Sequence, residues 1–238
     1  MKGLLRNNFF AVCANAKVFS IFMISFGVFV AAVVSQSLLI GYVMIGMVGF
    51  SVNAAAVAKN EFASKWGKYK LTLPVRRIEI VRSLFWNQII WLVIGTFFAG
   101  MGVSLSWLLH GCPFDQAIDT LTMFALGISM SLFMGAVFFP LFYLVGEERS
   151  EVLLIISLLC AFCINYVIIS IMNELLEPGI IVVLAGNVIM IGGAIFMFAL
   201  SYRLTVEIFK RKEYLGWITI IFNNSSYDLA FPLFVCRC

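Results

Sequence analysis

Five long stretches of the chain carry no Lys, Arg, Asp or Glu, and they define the elements that the sequence predicts. They cover residues 18–58, 83–114, 120–146, 152–173 and 178–202. A charged side chain at the bilayer centre costs about 2.5–3.5 kcal/mol, so long charge-free runs are typical of membrane-spanning helices. At about 1.5 Å per residue the first run has roughly twice the length needed to cross the ~30 Å hydrocarbon core. It therefore predicts two spans joined at Ser35, Gln36 and Ser37.

The predicted fold is an all-α integral membrane protein with six transmembrane helices. We place them at about residues 18–34, 38–58, 84–108, 118–144, 152–172 and 180–202. The composition supports this, because a chain with 63% hydrophobic and 12% charged residues has too little polar surface for a water-soluble domain. All 16 Lys and Arg residues fall on one face of this topology. Since basic residues are retained on the inside, we expect both termini to be cytoplasmic.

The chain divides into a transmembrane domain, residues 1–214, and a C-terminal extension of unknown role, residues 215–238. The apolar pieces of the extension are too short to cross a bilayer, so we expect an interfacial or loosely ordered segment. The outside loops are too short to fold into a domain. Function is therefore expected in the spans or on the cytoplasmic face.

The largest feature of that face is the segment of residues 59–82, KNEFASKWGKYKLTLPVRRIEIVR, which predicts two short helices around Pro74. The second is expected to have Pro74 in its first turn and to run through Ile78 and Val81 into the third span. Phe62, Trp66 and Tyr69 recur at helical spacing and form one aromatic stripe. The stripe is compatible with an interfacial anchor on anionic lipid or with a docking helix for a soluble partner. Periodicity does not separate these two interpretations.

Residues suited to catalysis or metal binding are sparse. His110 is the only histidine, and only Cys112 and Asp115 lie near it. Cys160 and Cys163 form a CxxC pair, but in the middle of an apolar run they are expected to serve packing. The sequence contains no G-x-x-x-x-G-K-[ST] motif. No metal site, cofactor or nucleic-acid partner is therefore expected in this chain.

Two polar features remain. A cytoplasmic turn of charged residues, expected to be solvated, contains Glu147, Glu148 and Arg149. Inside the spans, five amides are expected to join helices by hydrogen bonds: Asn53, Asn87, Gln88, Asn165 and Asn187. In the fourth predicted span, the small residues Gly127, Ser131 and Gly135 indicate a face that packs closely against another helix.

Residues 61–81, EFASKWGKYKLTLPVRRIEIV, resemble the loop between spans two and three of ABC type-2 transporter permeases, the membrane subunits of bacterial ATP-binding-cassette exporters. The matching positions are Trp66, Tyr69, Leu71, Leu73, Pro74, Val75, Arg77, Glu79, Ile80 and Val81. Further matches, at residues 1–5, 139–141, 146–148, 201–203 and 209–214, extend the likeness over about residues 1–214.

The resemblance implies a permease of the bacterial cell membrane that exports a substrate, such as a small amphipathic or antimicrobial peptide. It implies a coupling helix at residues 59–72 that sits in a cleft of a separate cytoplasmic ATPase, which would bind the ATP and magnesium. The implied coupling residues are Glu61, Phe62, Trp66, Tyr69, Leu73, Pro74, Arg77 and Glu79. Two permease chains, identical or different, would pair with two ATPases.

The residues bear on three alternative functions. A secondary carrier is expected to show internal repeats, broken helices and buried charges, and none is convincing here. A membrane-embedded enzyme lacks a plausible catalytic set. A non-transporting membrane anchor that recruits a cytoplasmic partner through the aromatic stripe stays open.

Overall fold

The computed structural model describes residues 2–33, 36–63, 77–110, 117–146, 149–175 and 180–230. This part of the chain is entirely helical apart from its turns and contains no strand. The helices are α1 (Lys2–Val33), α2 (Gln36–Ala63), α3 (Arg77–His110), α4 (Ala117–Val145), α5 (Ser150–Leu175) and α6 (Ile180–Ala230). The prediction of an all-α chain is therefore confirmed for the described residues.

Five of these helices are long and apolar enough to cross a membrane. The candidate spans are Gln36–Ala56, Ile78–Leu109, Ile118–Val145, Ser150–Met172 and Val182–Lys210, on α2 to α6 respectively. In α1, the segments Arg6–Ala14 and Ala16–Val30 meet at a bend of 57° and make a sixth candidate if they are taken as one span. Six spans thus remain a prediction, as does the side of the membrane on which the termini lie.

The helices extend beyond the predicted spans at both ends of the chain. α1 begins at Lys2 rather than near residue 18, and Asn8 and Val12 are buried within the bundle. α6 continues as helix to Ala230, through most of the extension for which the sequence predicts an interfacial or loosely ordered segment. The helices are longer than the predicted spans because charged residues limit only the part of a helix that lies in lipid. The backbone hydrogen bonds of a helix can continue beyond the membrane.

The bundle contains two apolar clusters. The N-terminal cluster joins α1, α2 and α3 and includes Met23, Met47 and Phe50, each with no exposed surface. The C-terminal cluster is built largely on α3, α4, α5 and α6 and is rich in aromatic rings such as Phe138 and Phe139. α4 packs most extensively on α6, and α2 on α3. α3 contributes to both clusters and lies between the two halves of the bundle.

The small residues of α4 form a packing face within the bundle. A Cβ on Gly127 would overlap the sulfur of Met47 on α2, so a larger residue at this position would require the Met47 side chain to move. Ser131 contacts Ser51 of α2 through the two hydroxyl groups. Gly135 faces Phe198 of α6. The prediction of close helix packing along this face is confirmed.

Side-chain hydrogen bonds cross several helix interfaces. Asn165 Oδ1 accepts from Ser129 Oγ at 2.7 Å, and Asn187 Nδ2 donates to Thr122 Oγ1 at 2.9 Å. These two amides therefore join helices as predicted. For Asn53 the prediction is wrong, because its Nδ2 donates to Gly49 O within its own helix at 2.9 Å.

Asn87 and Gln88 do not show the predicted interhelical bonds. Both side chains are buried, yet the described residues offer no hydrogen-bond partner to Asn87 Oδ1 or to either amide atom of Gln88. Across its interface, Gln88 lies beside Gly135 of α4, which offers no side-chain partner. The general rule for amides in membrane helices therefore holds at only some of the predicted positions.

Gly146 ends α4. Its φ is +98°, a region that L side chains rarely adopt, and its N–H donates to Phe142 O at 3.0 Å. This 5→1 bond satisfies a carbonyl of the last helical turn, as in an αL cap. The chain then reaches Arg149, which is exposed, and α5 begins at Ser150.

Replacement of Gly146 by Ala is expected to lower the unfolding midpoint of the purified protein. A non-glycine residue in the left-handed region costs about 1–2 kcal/mol, which corresponds to roughly 2–8 °C for a chain of this size. Gly192→Ala is the matched control, because this helical glycine has nothing within 4 Å of its missing Cβ. That control should raise the midpoint slightly through helix propensity. Equal effects of the two substitutions would contradict the assignment of Gly146 as a cap.

Candidate functional site

Contacts between helices show which helix ends share one end of the bundle. Near the start of α3, Ser83 Oγ accepts from Asn8 Nδ2 of α1 at 3.2 Å. The ring of Phe85, also on α3, lies 5.3 Å from that of Tyr202 on α6. At the other end of the bundle, Asn187 near the start of α6 meets Thr122 near the start of α4. The beginning of α3 therefore lies beside the beginning of α1 and the later part of the α6 span.

We call this the basic end of the bundle. α2 ends here at Ala63, α3 begins at Arg77, and α4 ends at Val145. Among the described side chains, five exposed basic ones lie on it: Arg6, Arg82, Arg149, Arg203 and Lys210. By the rule that Lys and Arg are retained inside, it is the expected cytoplasmic end.

Two of the predicted coupling residues lie on the last turn of α2. These are Glu61 and Phe62, which the backbone places in α2 rather than in a separate helix. Arg77 is the first residue of α3, and Glu79 follows in its first turn with a partly exposed side chain. A carboxylate there is stabilised by the partial positive charge of the helix N-terminus.

The remaining predicted residues lie outside the described part of the chain. They are Trp66, Tyr69, Leu73 and Pro74 of the coupling segment, and Glu147 and Glu148 of the charged turn. The predicted coupling helix therefore stays a prediction. The described residues on either side of it, Ala63 and Arg77, lie on helices that pack on each other at the basic end.

The first turns of α3 are anchored in the bundle. Ile80, Val81 and Leu84 are at most 6% exposed. One turn further, the Phe85 ring lies 4.5 Å from Phe139 on α4 and 4.9 Å from Phe198 on α6, measured between centroids. Because a helix is rigid over this distance, a displacement of Arg77 would be transmitted directly to both neighbouring helices. The sequence did not single out this aromatic cluster, since its members come from three distant segments.

The described part of the basic end shows no cluster of metal-binding side chains. Among the described residues, no three His, Cys, Asp or Glu side chains come together in a way that could hold a metal ion. The described cysteines are free thiols: Cys13, Cys160 and Cys163. Cys160 and Cys163 both lie on α5, partly or fully exposed on the outside of the bundle.

An apolar cavity of about 680 Å³ lies towards the opposite end of the bundle, between α1 and α3. Two hydroxyl side chains line it: Tyr42 donates to Phe98 O at 3.0 Å, and Ser104 donates to Gly100 O at 2.7 Å. The Tyr42 ring packs between Gly27 and Gly102. A Cβ on Gly27 would lie 3.0 Å from the Tyr42 hydroxyl oxygen, and a Cβ on Gly102 would overlap the ring. The cavity walls include exposed apolar side chains, so this surface is suited to contact with lipid.

Comparison with known proteins decides the family. The family profile of ABC-2 family transporter proteins matches residues 3–210, which includes every described span and the whole basic end. The chain belongs to the ABC-2 transporter family. Neither a curated protein sequence nor a solved structure matches it.

Membership in the ABC-2 family indicates the general role of the chain. The chain is a multi-pass membrane component of an ABC transporter, a role that is generally distinct from that of the ATPase. Such a permease works with an ABC ATPase subunit. The match ends at residue 210, where the last candidate span also ends, and leaves the remainder of α6 outside the family region.

Proposed function

We propose that this chain is the permease subunit of an ABC exporter in a bacterial cytoplasmic membrane. The observation that carries the proposal is the ABC-2 family match over residues 3–210. A separate ATPase binds ATP and magnesium, hydrolyses ATP and drives the permease. Two permease chains pair with two ATPases. The exported substrate is a small amphipathic or antimicrobial peptide, in line with the resemblance of residues 61–81 to exporter permeases.

Residues 59–72 are proposed as the coupling segment that docks into the ATPase, and residues 59–63 of it form the last turn of α2. The helices that flank the segment support this role. α2 and α3, which precede and follow residues 64–76 in the sequence, pack extensively on each other. α3, which follows it, carries any movement to the aromatic cluster around Phe85. In this arrangement, closure of the ATPases pushes the coupling helix and shifts α3 against α4 and α6.

The test is co-purification of the chain with ABC ATPases of its own organism, followed by an ATP hydrolysis assay. We expect one ATPase to co-purify, and we expect the chain alone to hydrolyse no ATP above background. Hydrolysis by the chain alone would contradict the subunit assignment. A chain that binds an ATPase but transports nothing would favour the membrane-anchor alternative.

The direction of transport is tested with the same complex in inside-out membrane vesicles. An exporter should accumulate a fluorescent amphipathic peptide in these vesicles when ATP and magnesium are present on the outside. Omission of magnesium should abolish the accumulation, because the ATPase requires the metal ion to neutralise the phosphate charge. ATP-driven loss of preloaded peptide would instead indicate import.

A further inference from the structure

Gln88 on α3 is a fully buried amide in an apolar setting. The side chain has no exposed surface, and within the described residues neither Nε2 nor Oε1 has a hydrogen-bond partner. It lies about 9 Å along the helix from Arg82, so it is inside the apolar part of the span. An amide in such a place is unfavourable unless it is hydrogen-bonded.

The surroundings of Gln88 explain why it lacks a partner. A Cβ built on Gly135 of α4 would lie 3.6 Å from Nε2 of Gln88 and 3.1 Å from the Phe198 ring of α6. The amide therefore lies where α3 faces α4 and α6, next to the aromatic cluster around Phe85. We call this surface the Gln88 seam, formed by Gln88, Gly135 and Phe198.

α3 is held very differently on its two sides. Towards α2 the backbones approach so closely that a Cβ on Gly95 would lie 2.9 Å from Gly46 O. Towards α4 and α6, α3 packs much less extensively. The unsatisfied amide is thus found on the more loosely packed side of α3, whereas α2 itself packs closely on α4 at Gly127 and Ser131.

We propose that the Gln88 seam opens, with α3 separating locally from α4 and α6 around Gln88 while α2 keeps its contact with α4, and that water enters and binds the Gln88 amide. The closed arrangement leaves the amide unsatisfied, whereas the open arrangement satisfies it. This difference in free energy favours opening, because a conformational equilibrium shifts only when a group interacts differently with the two states. The link between opening and transport rests on the proposed function; the opening itself does not.

Asn165 provides a matched control within the same bundle. It is also a buried amide, but its Oδ1 accepts from Ser129 Oγ and its Nδ2 donates to Ala161 O. Gln88→Met keeps the length of the side chain and removes the unsatisfied groups, so the unfolding midpoint should rise by about 2–5 °C. Asn165→Leu should lower it by a similar amount, because the hydrogen bond from Ser129 Oγ that joins α4 to α5 is lost and Ser129 keeps only its acceptor within α4, Leu126 O.

Equal destabilisation by the two substitutions would show that Gln88 is already hydrogen-bonded in the closed state and would overturn the proposal. Gln88→Leu gives a second apolar replacement with a different shape. A rise in the midpoint for either Met or Leu supports the proposal, and a fall for both contradicts it.

Opening is measured by labelling of introduced cysteines with a water-soluble maleimide, in a chain whose six native cysteines are replaced by serine. Ala194→Cys lies on α6 one helical turn from Phe198, beside the seam, and Ala99→Cys lies between α3 and α2. Both alanines have no exposed surface. We expect Cys labelling at 194 to be at least ~10-fold faster than at 99, since only the seam admits water.

Gln88→Met should slow labelling at position 194 and leave position 99 unchanged. Equal labelling rates at the two positions would overturn the proposal. In the complex with the ATPase, addition of ATP should accelerate labelling at 194. If labelling of the chain alone follows the expectation but ATP has no effect, the opening stands and its link to transport is wrong. Failure of any ATPase to co-purify bears on the proposed function alone.

Discussion

A chain in which both Trp66 and Tyr69 are replaced by Ala is expected to bind its ATPase at least ~30-fold more weakly than the natural chain. Aromatic side chains that anchor an interface commonly contribute 2 kcal/mol or more each, and ~1.4 kcal/mol corresponds to a tenfold change in affinity. The two residues fall on one stripe of the proposed coupling helix, so one binding cleft would contact both. The measurement is a titration of the detergent-purified chain with its ATPase.

Trp107→Ala is the matched control for this experiment. Trp107 is 59% exposed near the end of α3 that is opposite to the basic end. This substitution removes a large aromatic side chain from α3 and leaves the proposed coupling segment unchanged. The affinity for the ATPase should therefore not change. Unchanged affinity in the double variant would place the coupling contact elsewhere, and the charged turn that includes Arg149 would be the next segment to test.

The spans could be predicted because the physics of the bilayer acts on single residues. Each charge near the centre of a span is costly, so the sequence alone marks where α2 to α6 lie in lipid. The ends of the helices follow other rules. α3 begins at Arg77, although Glu79 and Arg82 interrupt the apolar pattern, because Ile80 and Val81 are buried against the bundle. Tertiary packing thus extends the helix beyond the limit set by charge.

The hydrogen-bonding partners of the buried amides could not be predicted in the same way. Asn165 and Gln88 both lie within charge-free runs and look equivalent in sequence. Only the fold brings Ser129, 36 residues away, to Asn165, while Gln88 meets a glycine and a phenylalanine ring. A partner at such a distance along the chain leaves no local pattern, so the sequence indicates which residues need a partner and the structure shows which obtain one.

The proposed coupling site shows the complementary case. Its candidate residues lie within one short segment, and the resemblance of that segment to exporter permeases is what implies the coupling role. The elements that would transmit its movement come from α3, α4 and α6 and meet only in the folded bundle. The sequence could therefore suggest where a partner binds, but the connection from that segment to the spans required the contacts of Phe85.

Gly95→Leu is expected to destabilise the protein more than any other single substitution considered. A Cβ at this position would lie 2.9 Å from Gly46 O and 3.1 Å from the Cα of Met47, and both are backbone atoms of α2. Neither can rotate away, so the two helices must separate. Overpacking of this kind costs about 3 kcal/mol, which lowers the unfolding midpoint by roughly 6–12 °C.

Gly100→Leu tests whether this loss arises from the contact rather than from the new side chain. Gly100 lies on the same helix, and nothing is within 4 Å of its missing Cβ. Leucine there meets open space and gains helix propensity, so the midpoint should stay unchanged or rise slightly. A similar fall for both variants would contradict the close approach of α2 and α3. A fall confined to Gly95→Leu would show that the close backbone contact between α2 and α3 stabilises the protein.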